Sequence, residues 1–400
     1  MKRLIVGGNF GECKKSSVVK KLAKSLYADE FNGGNLSNLN SAKQMIVDYD
    51  LVVWMPNISN EIEKDYPKKK KGSILICSKR IDEYNHEQIG NAVSRIFRMN
   101  ANAVIAVLKE DDIYSFKLID ALGNLWIDTE DISELSKMIE TFAEWTKNSI
   151  RIESIPSKLE NVINTDTYVV INDNGIMNFC DIVKKISEDI ETVRGNRYFG
   201  NASTRCSYTF PSQKSYDGIF VSGRNTPKSS LTNEDFIKVE MQENKVVYFG
   251  DKKPSVDTPI QLELYKKLPN VNYIIHGHAF IENVKITENY FPCGDMREVE
   301  EILNALPDFN DCCGINLKNH GFIILANNLE DLNDFVNNNK FVYRELGQNI
   351  ERIYDDFGEI VLNTTDKDCC SLCKYVNSAS YKLTDACLHC ADDLGNYYYR

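Results

Sequence analysis

The sequence predicts an α/β protein in three parts: a Rossmann-like or flavodoxin-like domain with a parallel sheet, a second α/β domain, and a small zinc-ribbon-like tail. Three observations support this. Up to Trp145, apolar runs of strand length alternate with segments of helical periodicity, the pattern of a mostly parallel sheet covered by helices. The alternation resumes near Asp181. Five of the twelve cysteines lie at or after Cys369.

The first domain has four predicted parallel strands and three predicted helices. A hairpin is expected over 116–127, because Gly123-Asn124 favours a tight turn. The spacing of apolar residues predicts strands over 4–6, 50–55, 73–77 and 103–108, and helices over 16–27, 89–99 and 133–145. We predict that this domain spans 1–148, that a linker with an edge strand spans 149–175, that the second domain spans 176–363, and that the tail spans 364–400.

The composition of the chain excludes some classes of function. With 47 basic and 58 acidic residues the net charge is −11, which disfavours nucleic-acid binding because such proteins collect phosphates with a positive field. Apolar residues make up 42 %, enough for sizeable cores. No stretch approaches the ~20 apolar residues of a membrane span. The basic start reaches Gly7 too soon for a signal-peptide core. We therefore expect a cytoplasmic protein without membrane attachment.

A glycine-rich turn follows the first predicted strand. Gly7, Gly8 and Gly11 lie between a strand and a helix, the geometry that presents backbone N–H groups to a phosphate. Neither Gly-x-Gly-x-x-Gly nor a Walker lysine is present. A tight turn that needs glycine for its backbone is the simpler interpretation, and binding of a nucleotide or phosphosugar is the alternative.

Three of the five histidines form a candidate metal site. His276 and His278 stand at i and i+2 on a predicted strand, so their side chains point the same way. His320 opens another apolar strand. Imidazoles suit zinc or a similar divalent ion, and three neutral ligands leave a position open, as in catalytic sites. Asp257, in a predicted loop before a helix over 260–267, is the carboxylate that we expect beside them.

Five motifs in this region resemble the class II aldolase/adducin family, which includes fuculose-1-phosphate aldolase, ribulose-5-phosphate 4-epimerase and methylthioribulose-1-phosphate dehydratase. Their order and spacing agree over about 175–362. The motifs are Gly-Asn-Ala-Ser at 200–203, Ser-Gly at 222–223 before Leu-Thr at 231–232, Lys-Pro-Ser-Val-Asp-Thr-Pro at 253–259, His-x-His at 276–278, and Asn-His-Gly at 319–321.

The resemblance implies an α/β/α three-layer domain and roles for its residues. His276, His278 and His320 would hold the metal, with Asp257 as the catalytic acid or base beside it. Asn201, Ser222, Gly223 and Ser255 would bind the substrate phosphate. The implied chemistry is aldol cleavage, epimerisation or dehydration of a phosphorylated sugar through a metal-stabilised enediolate. The family also implies a homo-oligomer, such as a tetramer.

This sequence departs from the family pattern at several places. Val256 replaces the family's second phosphate-binding serine, and Gln261 stands where a histidine is frequent. In the family, a tyrosine or other acid near the C-terminus completes the site. The candidates here are Tyr290, Tyr343 and the tyrosines at 397–399.

Two other functions remain open. An adducin-like copy of the domain could be a non-catalytic scaffold or binding protein, although such a copy is expected to lose its metal ligands. Alternatively, the first domain binds a nucleotide, and the chain acts as a two-module enzyme on a nucleotide sugar.

The cysteine-rich tail predicts a second, structural zinc ion. Cys370 and Cys373 form one Cys-x-x-Cys pair, and Cys387 and Cys390 form another. Each pair directs two sulfurs toward one point, and four thiolates close a tetrahedral zinc site in a segment too short for a core. Surface or redox-active thiols are the alternative.

Overall fold

The computed structural model describes the chain in two compact units, which comprise Met1–Arg151 with Glu345–Arg400, and Ile152–Arg344. The described residues are 1–7, 17–32, 36–56, 67, 69, 72–110, 113–150, 154–159, 170–171, 175–190, 193–195, 197–209, 215–250, 252–306, 311–347, 350, 352–354, 360–362 and 381–382.

A seven-stranded sheet forms the centre of the first unit. Its strand order is β2-β1-β3-β4-β5-β6-β7. The first five strands of that order are parallel, and β6 and β7 add an antiparallel hairpin at the edge, as the turn at Gly123-Asn124 predicts. The strands are β1 (Arg3–Gly7), β2 (Asp29–Asn32), β3 (Leu51–Met55), β4 (Ile74–Ile81), β5 (Ala103–Glu110), β6 (Ile113–Asp120) and β7 (Leu125–Thr129).

Helices cover both faces of this sheet. The four helices are α1 (Ser17–Ser25), α2 (Leu36–Met45), α3 (His86–Met99) and α4 (Ile132–Asn148). One face of the sheet packs with α2 and α3 in a single apolar core. The helices α1 and α4 contact each other, and Trp126 of β7 packs on Phe142 and Trp145 of α4. The central strand β3 is buried throughout, as parallel strands between two helical layers are.

The second unit is built on a nine-stranded, mainly antiparallel sheet. Eight strands follow the order β18-β19-β16-β12-β13-β14-β15-β8, and β9 pairs with β12. They are β8 (Ser157–Leu159), β9 (Val170–Ile171), β12 (Asn201–Thr209), β13 (Ser215–Ser222), β14 (Phe236–Gln242), β15 (Lys245–Phe249), β16 (Tyr273–Gly277), β18 (Cys312–Leu317) and β19 (Gly321–Ala326). Both β8 and β9 come from the predicted linker.

Helices also lie on both faces of the second sheet. One face packs with α5 (Gly175–Lys185), α6 (Ser187–Ile190) and α9 (Leu329–Asn338). The other face packs with α7 (Thr258–Lys267) and α8 (Glu298–Ala305). Since side chains alternate along a strand, Ile275 faces the first set of helices and Ile274 the second.

The remaining strands of the described residues are short. Two small ribbons pair β10 (Val193–Arg194) with β11 (Arg197–Tyr198), and β17 (Phe280–Ile281) with β20 (Phe341–Val342). A three-stranded sheet contains β21 (Arg352–Tyr354), β22 (Ile360–Leu362) and β23 (Tyr381–Lys382). In the described part of the chain, no helix has both the length and the apolar character needed to cross a membrane.

Candidate metal centre

The central strands of the second sheet bring the predicted residues together. His276 in β16 pairs with Asn201 of β12 on one side and with Ile323 of β19 on the other. His278 follows directly after the end of β16. His320 lies in the turn that joins β18 to β19, so this turn sits beside the end of β16.

A glycine permits the close approach of this turn. Gly321 has φ +158, and a Cβ at this position would lie 2.0 Å from the carbonyl oxygen of Gly277 and 2.9 Å from Cα of His278. No real side chain tolerates these distances. The Asn-His-Gly sequence therefore packs a histidine-bearing turn directly onto the His-x-His strand.

The three histidines form a compact, buried cluster. Their ring centroids lie 5.2, 4.9 and 5.4 Å apart, and one nitrogen from each ring lies within 4.8 Å of the others. His276 and His320 are 3 % and 0 % exposed. This arrangement confirms the expected proximity of the three rings.

Hydrogen bonds orient two of the rings. Nδ1 of His276 lies 2.8 Å from the carbonyl oxygen of Phe322, which can only accept, so Nδ1 carries the proton and Nε2 carries the lone pair. Nδ1 of His320 lies 2.8 Å from a carboxylate oxygen of Glu298. A carboxylate or carbonyl behind the imidazole is the usual partner of a metal-binding histidine.

The pKa values of the cluster differ between its members. Burial, together with the charge of His320, lowers the pKa of His276 to about 4. Burial and the two neighbouring histidines lower the pKa of His278 well below its ordinary value. Burial also acts to lower the pKa of His320, but Glu298 and Cys293 outweigh it and raise this pKa well above the ordinary value. Two histidines are therefore held neutral, as metal ligands must be.

The donor set fits a divalent cation. Nε2 of His276 is buried and has no hydrogen-bond partner among the described residues. A buried polar atom without a partner is costly, and a metal ion would satisfy it. Nitrogen donors from three imidazoles suit zinc and similar ions.

Asp257 lies beside the cluster, in the turn that leads into α7. Its Oδ2 is 3.9 Å from Nε2 of His276, and it accepts hydrogen bonds of 3.3 Å from the amide of Asn201 and the hydroxyl of Ser255. Its Oδ1 is buried without a partner among the described residues. The carboxylate is thus held by one oxygen, and the other is available to a ligand.

Two of the four predicted phosphate-binding residues, Asn201 and Ser255, contact Asp257. The amide of Asn201 donates to Ser255 Oγ at 3.1 Å, and the hydroxyl of Ser222 accepts from the backbone N–H of Ala202 at 3.0 Å. The N–H of Gly223 donates to the carbonyl of Asp235 at 2.8 Å. Gly223 therefore contributes no free N–H in this conformation, and an anion here would rely on the hydroxyl and amide groups.

Three further residues contact the predicted site residues, and of these the sequence analysis singled out only Gln261. Glu298 begins α8 and is buried behind His320. Cys293 has its Sγ 3.3 Å from Nε2 of His320. Gln261 donates to Oδ1 of Asn201 and so orients the amide toward Asp257. A signal existed only for Gln261, which occupies a position where a histidine is frequent in the family.

The candidate tyrosines and the predicted glycine-rich turn lie elsewhere in the chain. Tyr290 is buried, whereas Tyr343 is 54 % exposed and its hydroxyl accepts from Arg194 at 3.1 Å. The charge of Arg194 contributes to lowering the pKa of His278, so Tyr343 contacts a residue whose charge acts on the cluster. Gly7 ends β1 next to Val19 of α1. The remaining predicted positions lie outside the described residues: Gly8, Gly11, Cys370, Cys373, Cys387, Cys390 and the tyrosines at 397–399.

Part of the chain matches a known protein family. Residues 195–281 match the family described as Class II Aldolase and Adducin N-terminal domain. Methylthioribulose-1-phosphate dehydratase from Pseudoalteromonas translucida is 27 % identical over 81 residues, which are 20 % of this chain and 37 % of that protein. The enzyme of that name from Acidiphilium cryptum is 29 % identical over 108 residues, 27 % of this chain and 46 % of that protein. The chain thus spans less than half the length of these curated relatives.

Among solved structures, the N-terminal class II aldolase domain of a conserved Thermoplasma acidophilum protein is similar to this chain. The two share 15 % identity with a TM-score of 0.31, and the similarity covers 44 % of this chain and 93 % of that one.

Proposed function

We propose that this chain, whose residues 195–281 match the Class II Aldolase and Adducin N-terminal domain family, is a metal-dependent lyase or epimerase acting on a phosphorylated sugar or a related small molecule. Dehydration is the reaction that we favour, because the two relatives described above are dehydratases of a sugar phosphate by name. Aldol cleavage and epimerisation are the alternatives within the same chemistry.

One observation carries the proposal: the buried histidine cluster with the unpartnered Nε2 of His276. In this proposal His276, His278 and His320 hold a divalent ion, with zinc as our preference. Such an ion polarises a carbonyl or hydroxyl oxygen and stabilises the enediolate that all three reactions share. A scaffold has no need for three converging, buried imidazoles, which favours the enzyme over the non-catalytic alternative.

Other residues bind the substrate and move protons. Asn201, Ser222 and Ser255 supply amide and hydroxyl donors for the phosphate next to Asp257. The free Oδ1 of Asp257 is placed to take a proton from the substrate carbon or return one to a leaving oxygen. Asn201 and Ser255 hold the opposite carboxylate oxygen, so Asp257 keeps one orientation during that transfer.

A second binding function is proposed for the first unit. The strand order β2-β1-β3-β4-β5 is that of doubly wound flavodoxin-like sheets. Such sheets bind phosphorylated ligands outside the carboxyl ends of the strands, at the point where the order reverses. Here that point lies between β1, which ends at Gly7, and β3. A nucleotide panel in thermal-shift assays tests this, since a binder raises the melting temperature.

Metal stoichiometry tests the histidine site. We expect elemental analysis to find about two ions per wild-type chain if the proposed tail zinc is also present, and one fewer in H276A/H278A. His86→Ala is the matched control, because His86 is an exposed histidine at the start of α3. Equal metal content in all three proteins, with no uptake of added divalent ions at the cluster, would refute the proposed site.

Substrate screening then distinguishes the reactions. The metal-loaded chain is incubated with phosphorylated ketoses, including methylthioribulose-1-phosphate, and the products are read by mass spectrometry. Dehydration removes one water, aldol cleavage gives two fragments, and epimerisation leaves the mass unchanged. Activity that survives H276A/H278A would exclude the cluster as its source.

A further inference from the structure

A thiol lies against the histidine cluster at a position that the family motifs do not include. Cys293 follows Phe291-Pro292, after the end of β17, and its Sγ is 3.3 Å from Nε2 of His320. Donor atoms of Asp257, Cys293 and His320 all lie within 4.8 Å of one another. His320 therefore belongs to two overlapping groups of donors, one with the histidines and one with Cys293 and Asp257.

The chain holds this thiol firmly in place. Gly294 has φ +81, and a Cβ there would lie 2.8 Å from Cγ2 and 3.0 Å from the carbonyl oxygen of Val256. The segment that carries Cys293 thus packs directly on the segment that carries Asp257. The next residue, Asp295, is fully buried and accepts from Arg297 at 3.1 and 2.7 Å. The Arg297 guanidinium lies 5.0 Å from the ring centre of Phe291, so both sides of Cys293 are anchored.

Two other buried atoms near His320 lack hydrogen-bond partners in the described part of the chain. Nε2 of His276 and Oδ1 of Asp257 are buried, and neither has a hydrogen-bond partner among the described residues. The contact between Cys293 and His320 satisfies neither of these atoms. Both atoms are lone-pair donors, so one cation shared with Cys293 would satisfy both.

We propose that Cys293 is a fourth protein ligand of the ion held by the histidines, an inference that rests on the metal site of the proposed function. On binding, the S–H bond breaks, the sulfur keeps the electron pair and bonds to the ion, and the proton leaves to solvent. A sulfur donor makes the site select thiophilic zinc or cobalt over magnesium or manganese.

Cobalt substitution tests the ligand. The full-length wild type, C293S, C312S and H276A/H278A are loaded with Co²⁺, and metal content and near-ultraviolet absorption are measured together. All other cysteines are common to the wild type, C293S and H276A/H278A, so only differences between these proteins report on Cys293. Cys312, half-buried in β18, provides the matched cysteine control.

We expect a sulfur-to-cobalt charge-transfer band in the wild type and C312S that is stronger than any such band in H276A/H278A. C293S should lack this additional absorption. If C293S still binds histidine-dependent cobalt and keeps the band, the inference is wrong while the proposed metal site stands. If no cobalt depends on the histidines, both fail. C293A replaces C293S should the serine variant not fold.

Metal selectivity provides the second measurement. We expect the zinc affinity of C293S to be at least ~10-fold lower than that of the wild type, because loss of even a residue that only supports a metal ligand costs about that much. Competition with a chromophoric chelator measures this affinity. The affinity for manganese should change less. An equal change for both ions would overturn the assignment of sulfur as a ligand.

Discussion

At the residue scale, both ring nitrogens of His320 have polar partners. Its two ring nitrogens contact Glu298 and Cys293, at 2.8 and 3.3 Å. Burial raises the pKa of Glu298, the charges of Asp257 and Asp295 add to this rise, and the charge and hydrogen bond of His320 oppose it. The carboxylate behind the ring fixes the orientation in which Nε2 faces the other two histidines.

Replacing Glu298 tests whether its carboxylate holds His320 in the orientation that binds the metal. E298Q keeps an oxygen that accepts from Nδ1 but removes the charge, so we expect zinc affinity to fall by about 10-fold, and E298A to lose up to about 100-fold. Chelator competition measures both. Glu300→Gln, on the exposed side of the same helix, is the control because Glu300 pairs with Lys267 rather than with the site. Wild-type affinity in E298Q would contradict the role.

At the element scale, one capped turn holds the segment that carries Ser222 and Gly223. The backbone carbonyl of Asp235 accepts from the N–H of Gly223 at 2.8 Å. Its carboxylate accepts from the N–H and hydroxyl of Thr232 and from Lys252 at 2.7 Å. Burial acts to raise the pKa of Asp235, but the hydrogen bonds from Lys252 and Thr232 outweigh it and lower the pKa.

The lowered pKa of Asp235 predicts that the stability of the fold depends on pH. Because the folded pKa of Asp235 lies below the unfolded value, its stabilisation is present above the unfolded pKa, about 3.9, and is lost as the pH falls through the folded pKa. D235N should lower the free energy of unfolding by about 1 kcal/mol at pH 7, and by less in acid. Urea titrations at the two pH values measure this. D217N, on the exposed side of β13, is the matched control.

Helices and strands with strong periodicity were predictable from the sequence. The prediction of a helix over 133–145 is met by α4, and that of strands over 50–55 and 103–108 by β3 and β5, because burial of these segments leaves a clear apolar pattern. By contrast, β8 is only three residues long and pairs with β15, far along the chain. Nothing in its own sequence specifies that pairing.

At the scale of the whole molecule, metal binding is expected to stabilise one unit selectively. A ligand that binds only the folded state at 100 times its Kd adds about 2.7 kcal/mol to stability. We predict that zinc slows hydrogen exchange in peptides from 197–344, read by mass spectrometry. H276A/H278A should lose this effect, while any protection from a tail zinc remains in both proteins. Equal protection of 197–344 in the two proteins would contradict the prediction.

The amino-acid sequence by itself determined the alternation of strands and helices and the turn at Gly123-Asn124, and it singled out the three histidines and Asp257, whose side chains lie close together in the fold. These features depend on local periodicity or on short motifs that require particular residue types. Tertiary structure alone decided that Cys293 and Glu298 contact His320, and that the N–H of Gly223 is occupied. Such contacts arise where turns distant in sequence pack together, and no local pattern encodes the packing.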